Sequence, residues 1–266
     1  MTTLDVEQEF AKITANYEKN RAKKADFIII GYSGVGKTHL LRTCPQPVYV
    51  DSFDKGGTRG VLDDLIAQHR IFVDTRWEQD QTLNPTAFKG WDDNFTRLIR
   101  SNFFDSVGTY AIDSMTSFSD AILAYILKKA SRAGKKPNYY EDYPIHHNII
   151  RDAIKMIWSL PCYTILTGHI DTMKDDVSGA IISSLLLPGK SAVKVPIHAD
   201  EVYILEVKET KDGLEHTLLT RNTGKLRART RIGSRKFNIR EPADIRKLIV
   251  KAGFDVSDKP LPTTTK

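Results

Sequence analysis

"DFIIIGYSGVGKTHLLRT", residues 26–43, passes from an apolar run into three glycines, a lysine and a threonine. Residues 27–30 (FIII) have the composition of a buried strand. Glycine weakens strands and helices alike. Gly31, Gly34 and Gly36 in such close succession therefore imply that the backbone itself has a task there. The spacing G-x-x-x-x-G-K-T is that of a phosphate-binding loop. Such a loop turns successive N–H groups inward around an anion, and a helix beginning near Lys37 adds its positive end. Gly31, Tyr32, Ser33, Gly34, Val35, Gly36, Lys37, Thr38 and His39 are the expected nucleotide-binding set. Lys37 is placed to reach the β- and γ-phosphates of ATP, and the Thr38 hydroxyl to ligate Mg²⁺.

Outward from this stretch, strand-like and helix-like segments alternate. Strands are expected at 26–31, 47–51, 70–74, 108–113 and 161–168, and helices at 37–43, 92–104, 115–130 and 145–158. Alternation of this kind implies a mainly parallel sheet covered by helices. "EVYILEVKETKDGLEHTLLTRN" (201–222) then gives two alternating runs around Asp212-Gly213, a hairpin signal, and a short helix is expected at 241–252. The fold expected is α/β, a P-loop core whose parallel sheet is extended by antiparallel C-terminal strands. Three regions follow: an N-terminal helix within 1–24, the ATPase domain over 25–252, and a flexible tail over 253–266.

Three further groups suit the chemistry of a triphosphate. In "SVGTYAIDSMTSF" (106–118), Asp113 ends a strand and is expected to hold Mg²⁺ with Thr38, its alternative role being a cap for the next helix. In "PVYVDSFDKGGTRG" (47–60), Asp54 follows a strand end and is the preferred carboxylate for orienting the attacking water, with Asp51 in reserve. "CYTILTGHI" (162–170) places His169 just past a buried strand, where it either senses the γ-phosphate or is structural.

"GYSGVGKT", "VDSFDKGG", "YAIDSMTSF", "LTGH" and "HADEVYILEV", in this order over residues 24–210, resemble the phage-encoded AAA-domain nucleotide-binding proteins. That family has a RecA-like core and includes ATPases of single-strand annealing and recombination. The resemblance implies ATP hydrolysis, assembly into a homo-oligomeric ring or filament, and work on phage DNA in the host cytoplasm, with a single-strand-binding protein as a further partner. Related enzymes often carry Glu directly after the strand-ending Asp; Ser114 stands there instead. The family's second strand often ends in an Asp-x-Glu-like group, where this chain has Asp54. Arg221 resembles the finger of hexameric helicases that completes a neighbour's site, although Leu219 replaces the lysine of their Lys-x-Arg pattern.

With 39 Lys/Arg against 33 Asp/Glu, the net charge is +6, and the excess is uneven. Residues 221–251 hold eleven basic against two acidic side chains, which suits a polyanion partner or a solvated basic face. Arg227, Arg229 and Arg231 alternate and would share a strand face, meeting phosphate or forming a basic edge. For single-stranded DNA, "LKKASRAGKKPNYYEDY" (127–143) joins Lys128, Lys129, Arg132, Lys135 and Lys136 to Tyr139 and Tyr140. Residues 171–196 form a second candidate loop, with Lys190 and Lys194 the better-placed cations. Cys44 and Cys162 lack metal-ligand spacing and read as buried free thiols of a reducing compartment. No apolar run reaches the ~18 residues of a membrane helix, and the first residues carry no apolar signal core. A nucleotide-gated assembly protein, acting on a protein partner without DNA, is the alternative function.

Overall fold

The structure is a computed structural model that describes residues 5–20, 24–174, 181–211, 213–224, 226–233 and 235–261. An N-terminal helix, α1 (Val6–Asn20), precedes the phosphate-loop strand β1 (Asp26–Gly31), the short helix α2 (Lys37–Leu40) and β2 (Val48–Ser52). Then come α3 (Asp63–Ala67), β3 (Ile71–Asp74), α4 (Ala87–Arg100), β4 (Thr109–Asp113), α5 (Met115–Lys129) and α6 (Asp142–Trp158). The chain continues through β5 (Tyr163–Lys174), β6 (Ile181–Leu185), α7 (Ser191–His198), β7 (Glu201–Thr210), β8 (Gly213–Leu219), β9 (Arg240–Pro242) and α8 (Ile245–Ala252).

The sheet runs β3-β2-β4-β5-β1-β7-β8-β9, with β6 paired to the far half of β5. From β3 to β7 the pairings are parallel; β7–β8, β8–β9 and β5–β6 are antiparallel. Fully buried runs such as Ile28, Ile29 and Ile30 follow from this, because helices cover both faces. One face packs Ile28, Ile30, Tyr110 and Ile112 against Trp91, Phe95 and Phe118 of α4 and α5. The other packs Phe27, Ile29 and Val50 against Leu40, Leu41 and Leu248.

Several elements differ from the sequence expectation. The helix expected at 37–43 is a four-residue α-helix followed by a 3₁₀ turn over Leu41–Thr43. Pro45 disfavours helical geometry at Cys44, and the chain turns extended there. The second candidate loop is largely ordered: β5 continues to Lys174, β6 returns along it, and α7 carries Lys194. Residues 175–180, with Asp175 and Asp176, lie outside the described residues, as does Asp212 of the hairpin turn. Residues 253–261, expected as flexible, are tied down. Asp258 accepts from the Gln46 N–H (2.7 Å) and Arg246 (2.5 Å), Lys259 N–H donates to the Gln46 carbonyl (2.8 Å), and Tyr163 donates to the Asp255 carbonyl. Residues 262–266 lie outside the described residues.

Both cysteines are buried and unpaired, and burial pushes the Cys162 thiol up to about 12. Among the described residues no helix is long and apolar enough to cross a membrane.

Candidate functional site

The carboxyl ends of β1 and β4 flank the middle of β5, with Gly31 paired to His169 and Ile112 to Leu166, so His169, expected just past this strand, lies within it. This brings the phosphate loop, Asp113 and His169 to one edge. Within the loop, Gly36 has φ 97°, a left-handed conformation that glycine adopts without strain. The buried Lys37 ammonium donates to the carbonyls of Gly31 (2.9 Å) and Tyr32 (2.8 Å). Burial lowers its pKa, while the Asp113 and Asp54 charges act in the opposite direction.

Thr38 Oγ1 donates to Asp113 Oδ2 at 2.7 Å, and Thr167 Oγ1 donates to Asp113 Oδ1. Burial raises the pKa of this carboxyl; the two hydroxyl bonds oppose that, Asp54 reinforces it and Lys37 counters it. The cap of α5 is the Ser114 hydroxyl, which accepts from Ser117 N–H, so Asp113 is not the capping residue. The Asp113–Ser114 peptide is cis.

Asp54 reaches the site by an indirect route. The neighbours of β1 are β5 and β7, and β2 lies beyond β4. The turn after β2 curls back over β4 through Phe53 N–H to the Asp113 carbonyl (2.7 Å) and Asp54 N–H to the same oxygen (3.3 Å). The Asp54 carboxylate then accepts from Ser114 (3.1 Å) and Ser117 and lies 3.7 Å from His169 Nε2. Ser114, at the position where related enzymes carry Glu, thus holds the carboxylate supplied by Asp54. Glu78 braces the turn, accepting from Ser52 Oγ (2.8 Å) and Gly56 N–H (3.0 Å).

The reserve assignment to Asp51 is overturned. Its carboxylate is 1% exposed and accepts from Tyr110 (2.6 Å), Trp77 (2.8 Å), Tyr49 (3.0 Å) and Trp91 (3.0 Å). Alternation along β2 turns it into the α4 face of the sheet, where burial pushes its pKa up to about 6. A carboxylate with four internal donors does not orient water.

Arg221 stands apart from its own phosphate loop. Leu219 is level with Ile204 and hence with Ile30, and β8 runs antiparallel, so the chain beyond it heads away from the loop. There Arg221 Nη2 donates to the Phe237 carbonyl (2.8 Å). Arg229 and Arg231, expected on one strand face that meets phosphate or forms a basic edge, instead clamp the end of α7. Arg229 donates to the carbonyls of Pro196 (2.6 Å), Ile197 (3.0 Å) and Ala199 (2.5 Å), and Arg231 to that of Ile197 (2.8 Å). Cations at a helix C-terminus satisfy carbonyls that the helix leaves unpaired.

Of the candidate DNA stretch, Lys128 is bonded to Asn84 and Pro85, Arg132 makes a two-pronged pair with Asp142, and Lys129 lies over the Tyr125 ring. Tyr139 and Tyr140 are exposed (64% and 85%) and in edge contact.

Sequence reasoning missed Thr167, Ser117 and Glu78. Thr167 left one signal, a buried hydroxyl directly after Ile165 and Leu166. Ser117 and Glu78 left none, because their partners come together only through the folded turn.

The donor set fits a divalent cation. Thr38 and Asp113 present a hydroxyl and a carboxylate oxygen beside the loop, the hard ligands Mg²⁺ takes. Held by Thr38 and Asp113, Mg²⁺ would supply positive charge against the charge that develops on phosphate. The chain's own residues would do the rest: loop N–H groups and Lys37 would bind phosphate, and the Asp54 charge reaches Lys37 with His169 against it.

Strand order and site together define an α/β P-loop nucleotide-binding domain. The AAA domain family profile matches residues 23–232, and the chain belongs to that family. Among curated proteins, none matches it. Among solved structures it is similar to a KaiC-like protein of the hyperthermophilic archaeon Pyrococcus horikoshii OT3. The identity is 15% and the TM-score 0.43, over 78% of this chain and 83% of that one.

Proposed function

We propose that the chain is a Mg²⁺-dependent ATPase acting on phage DNA in the host cytoplasm, in single-strand annealing or recombination. ATP would sit between subunits of a ring or filament, with Arg221 completing a neighbour's site. The observation that carries hydrolysis is the convergence of Lys37, Thr38, Asp113 and Asp54 on one edge of the sheet, with Asp54 held by two serines and facing His169. The DNA reading is supported by exposed Tyr139 and Tyr140, which offer stacking faces beside Lys135 and Lys136. The test is ATP turnover with and without Mg²⁺, single-stranded DNA and double-stranded DNA. Mg²⁺-dependent turnover raised by single-stranded DNA is expected; turnover indifferent to DNA removes the DNA half of the reading.

A specific observation favours the second reading, nucleotide-gated control of a protein partner. Helix α1 exposes Phe10 (65%), Ile13 (56%) and Tyr17 (68%) along one side, while Lys128, Arg132 and Arg229 are engaged within the chain. DNA-independent ATPase activity together with ATP-dependent association would select it.

A further inference from the structure

A phosphate loop needs its outward carbonyls held as much as its inward N–H groups need an anion. Here the outer face of the Val35–Gly36 peptide is covered by His216, on β8. His216 Nδ1 lies 3.1 Å from the Val35 carbonyl oxygen, which can only accept, so Nδ1 carries the proton. A Cβ built on Gly36 would lie 3.6 Å from the ring's Cε1 and Nδ1, so the ring rests over the residue before Lys37. The root of the same hairpin presses on the loop's first residue: a Cβ at Gly31 would come within 2.9 Å of Val35 Cγ2 and 3.0 Å of the Leu205 carbonyl. The hairpin is long. β7 and β8 stay paired from Ile204–Leu219 out to Thr210–Gly213, whereas the last β1–β7 pair is Ile30–Ile204. It therefore projects past the sheet beside the loop.

We propose that His216 is a positioning residue for the nucleotide site, a role that rests on the ATP-binding reading above. A trans peptide is planar, with C=O and N–H pointing in opposite directions. Fixing the Val35 carbonyl outward therefore fixes the Gly36 N–H inward, toward bound phosphate. His216 touches no phosphate; it acts through the peptide. Because that N–H would contact ground state and transition state alike, losing it weakens binding more than turnover.

The test compares His216→Ala, His216→Asn and His216→Phe for MgATP binding, KM and kcat, with the Tm of each protein without nucleotide. Asn places an N–H donor where Nδ1 stands, and Phe keeps the ring without a donor. The Ala and Phe variants are expected to raise Kd and KM by roughly three- to tenfold, the worth of one hydrogen bond, with kcat kept and the Asn variant restored toward wild type. Unchanged KM in His216→Ala overturns the proposal. So does an Asn variant no better than Phe, or a Tm loss that tracks the affinity loss. Wild-type protein that binds no MgATP would instead remove the nucleotide-site reading itself, and this proposal with it.

Discussion

Lys37, Asp113 and Asp54 sit within one charged cluster yet should fail in different ways. Lys37→Ala is expected to abolish ATP hydrolysis, because the ammonium neutralises the transferred phosphoryl group; steady-state turnover of the purified variant checks this. Asp113→Asn should shift the Mg²⁺ titration of the rate and lower it strongly, since a neutral amide is a poorer ligand beside Thr38. Asp54→Asn should keep ATP binding and slow turnover, shown by equilibrium binding alongside single-turnover rates. Asp51 supplies a pH test. Its folded pKa of about 6 stands above the model-peptide value of 3.8, so the native state holds the proton more tightly than the unfolded chain. The stability this gives is full below the unfolded value and is lost as pH rises from about 4 through 6. Asp51→Asn should remove that fall, on the order of 3 kcal/mol, from denaturant stability measured across the same range. Legibility at this scale divided sharply. Asp113 and Lys37 could be placed because a strand-ending acid and a glycine-bounded lysine are local patterns. The preference for Asp54 left Asp51 in reserve, because deciding between them turns on which face of β2 each side chain meets.

At the scale of elements, strand positions were readable because apolar runs bounded by turn residues mark them locally. The far half of β5, β6 and α7 were not, since "DTMKDDVSGAIISSLLLPGK" lacks a continuous apolar period and its strands are defined by pairing with each other. The basic stretch after β8 misled for a related reason. Alternating arginines look like a phosphate-facing strand, but Arg229 finds three carbonyls at the end of α7. Arg229→Met should remove this donor from the Pro196 and Ala199 carbonyls, Ile197 keeping Arg231, and cost on the order of 2 kcal/mol, read as a Tm lower by roughly 5 °C. Wild-type stability in that variant would show that the clamp contributes nothing.

At the scale of the whole molecule, α/β alternation followed by a hairpin was enough to foresee a parallel sheet with an antiparallel edge. It did not order the strands: two parallel strands fit either side of β1 equally well on composition. Assembly belongs to this scale too. If Arg221 acts across a subunit boundary, Arg221→Ala should bind ATP nearly normally but hydrolyse it poorly, and mixing it with Lys37→Ala protein should restore part of the activity. Some interfaces would then pair an intact loop with an intact arginine, and a finger can be worth on the order of a thousandfold in rate. With subunit exchange confirmed by sizing, no rescue would remove the shared-site reading.

The bonds around Asp51 also have an optical consequence. Of the three tryptophans, Trp77 and Trp91 both donate their indole N–H to this one carboxylate, while Trp158 does not. Indole emission responds to the charge of a group it bonds, so two of the three indoles report on a single carboxyl. That carboxyl lies three residues before Asp54 on the same chain segment. A native emission change near pH 6 would read its titration, and the same signal on adding MgATP would follow the turn that carries Asp54, with no label attached.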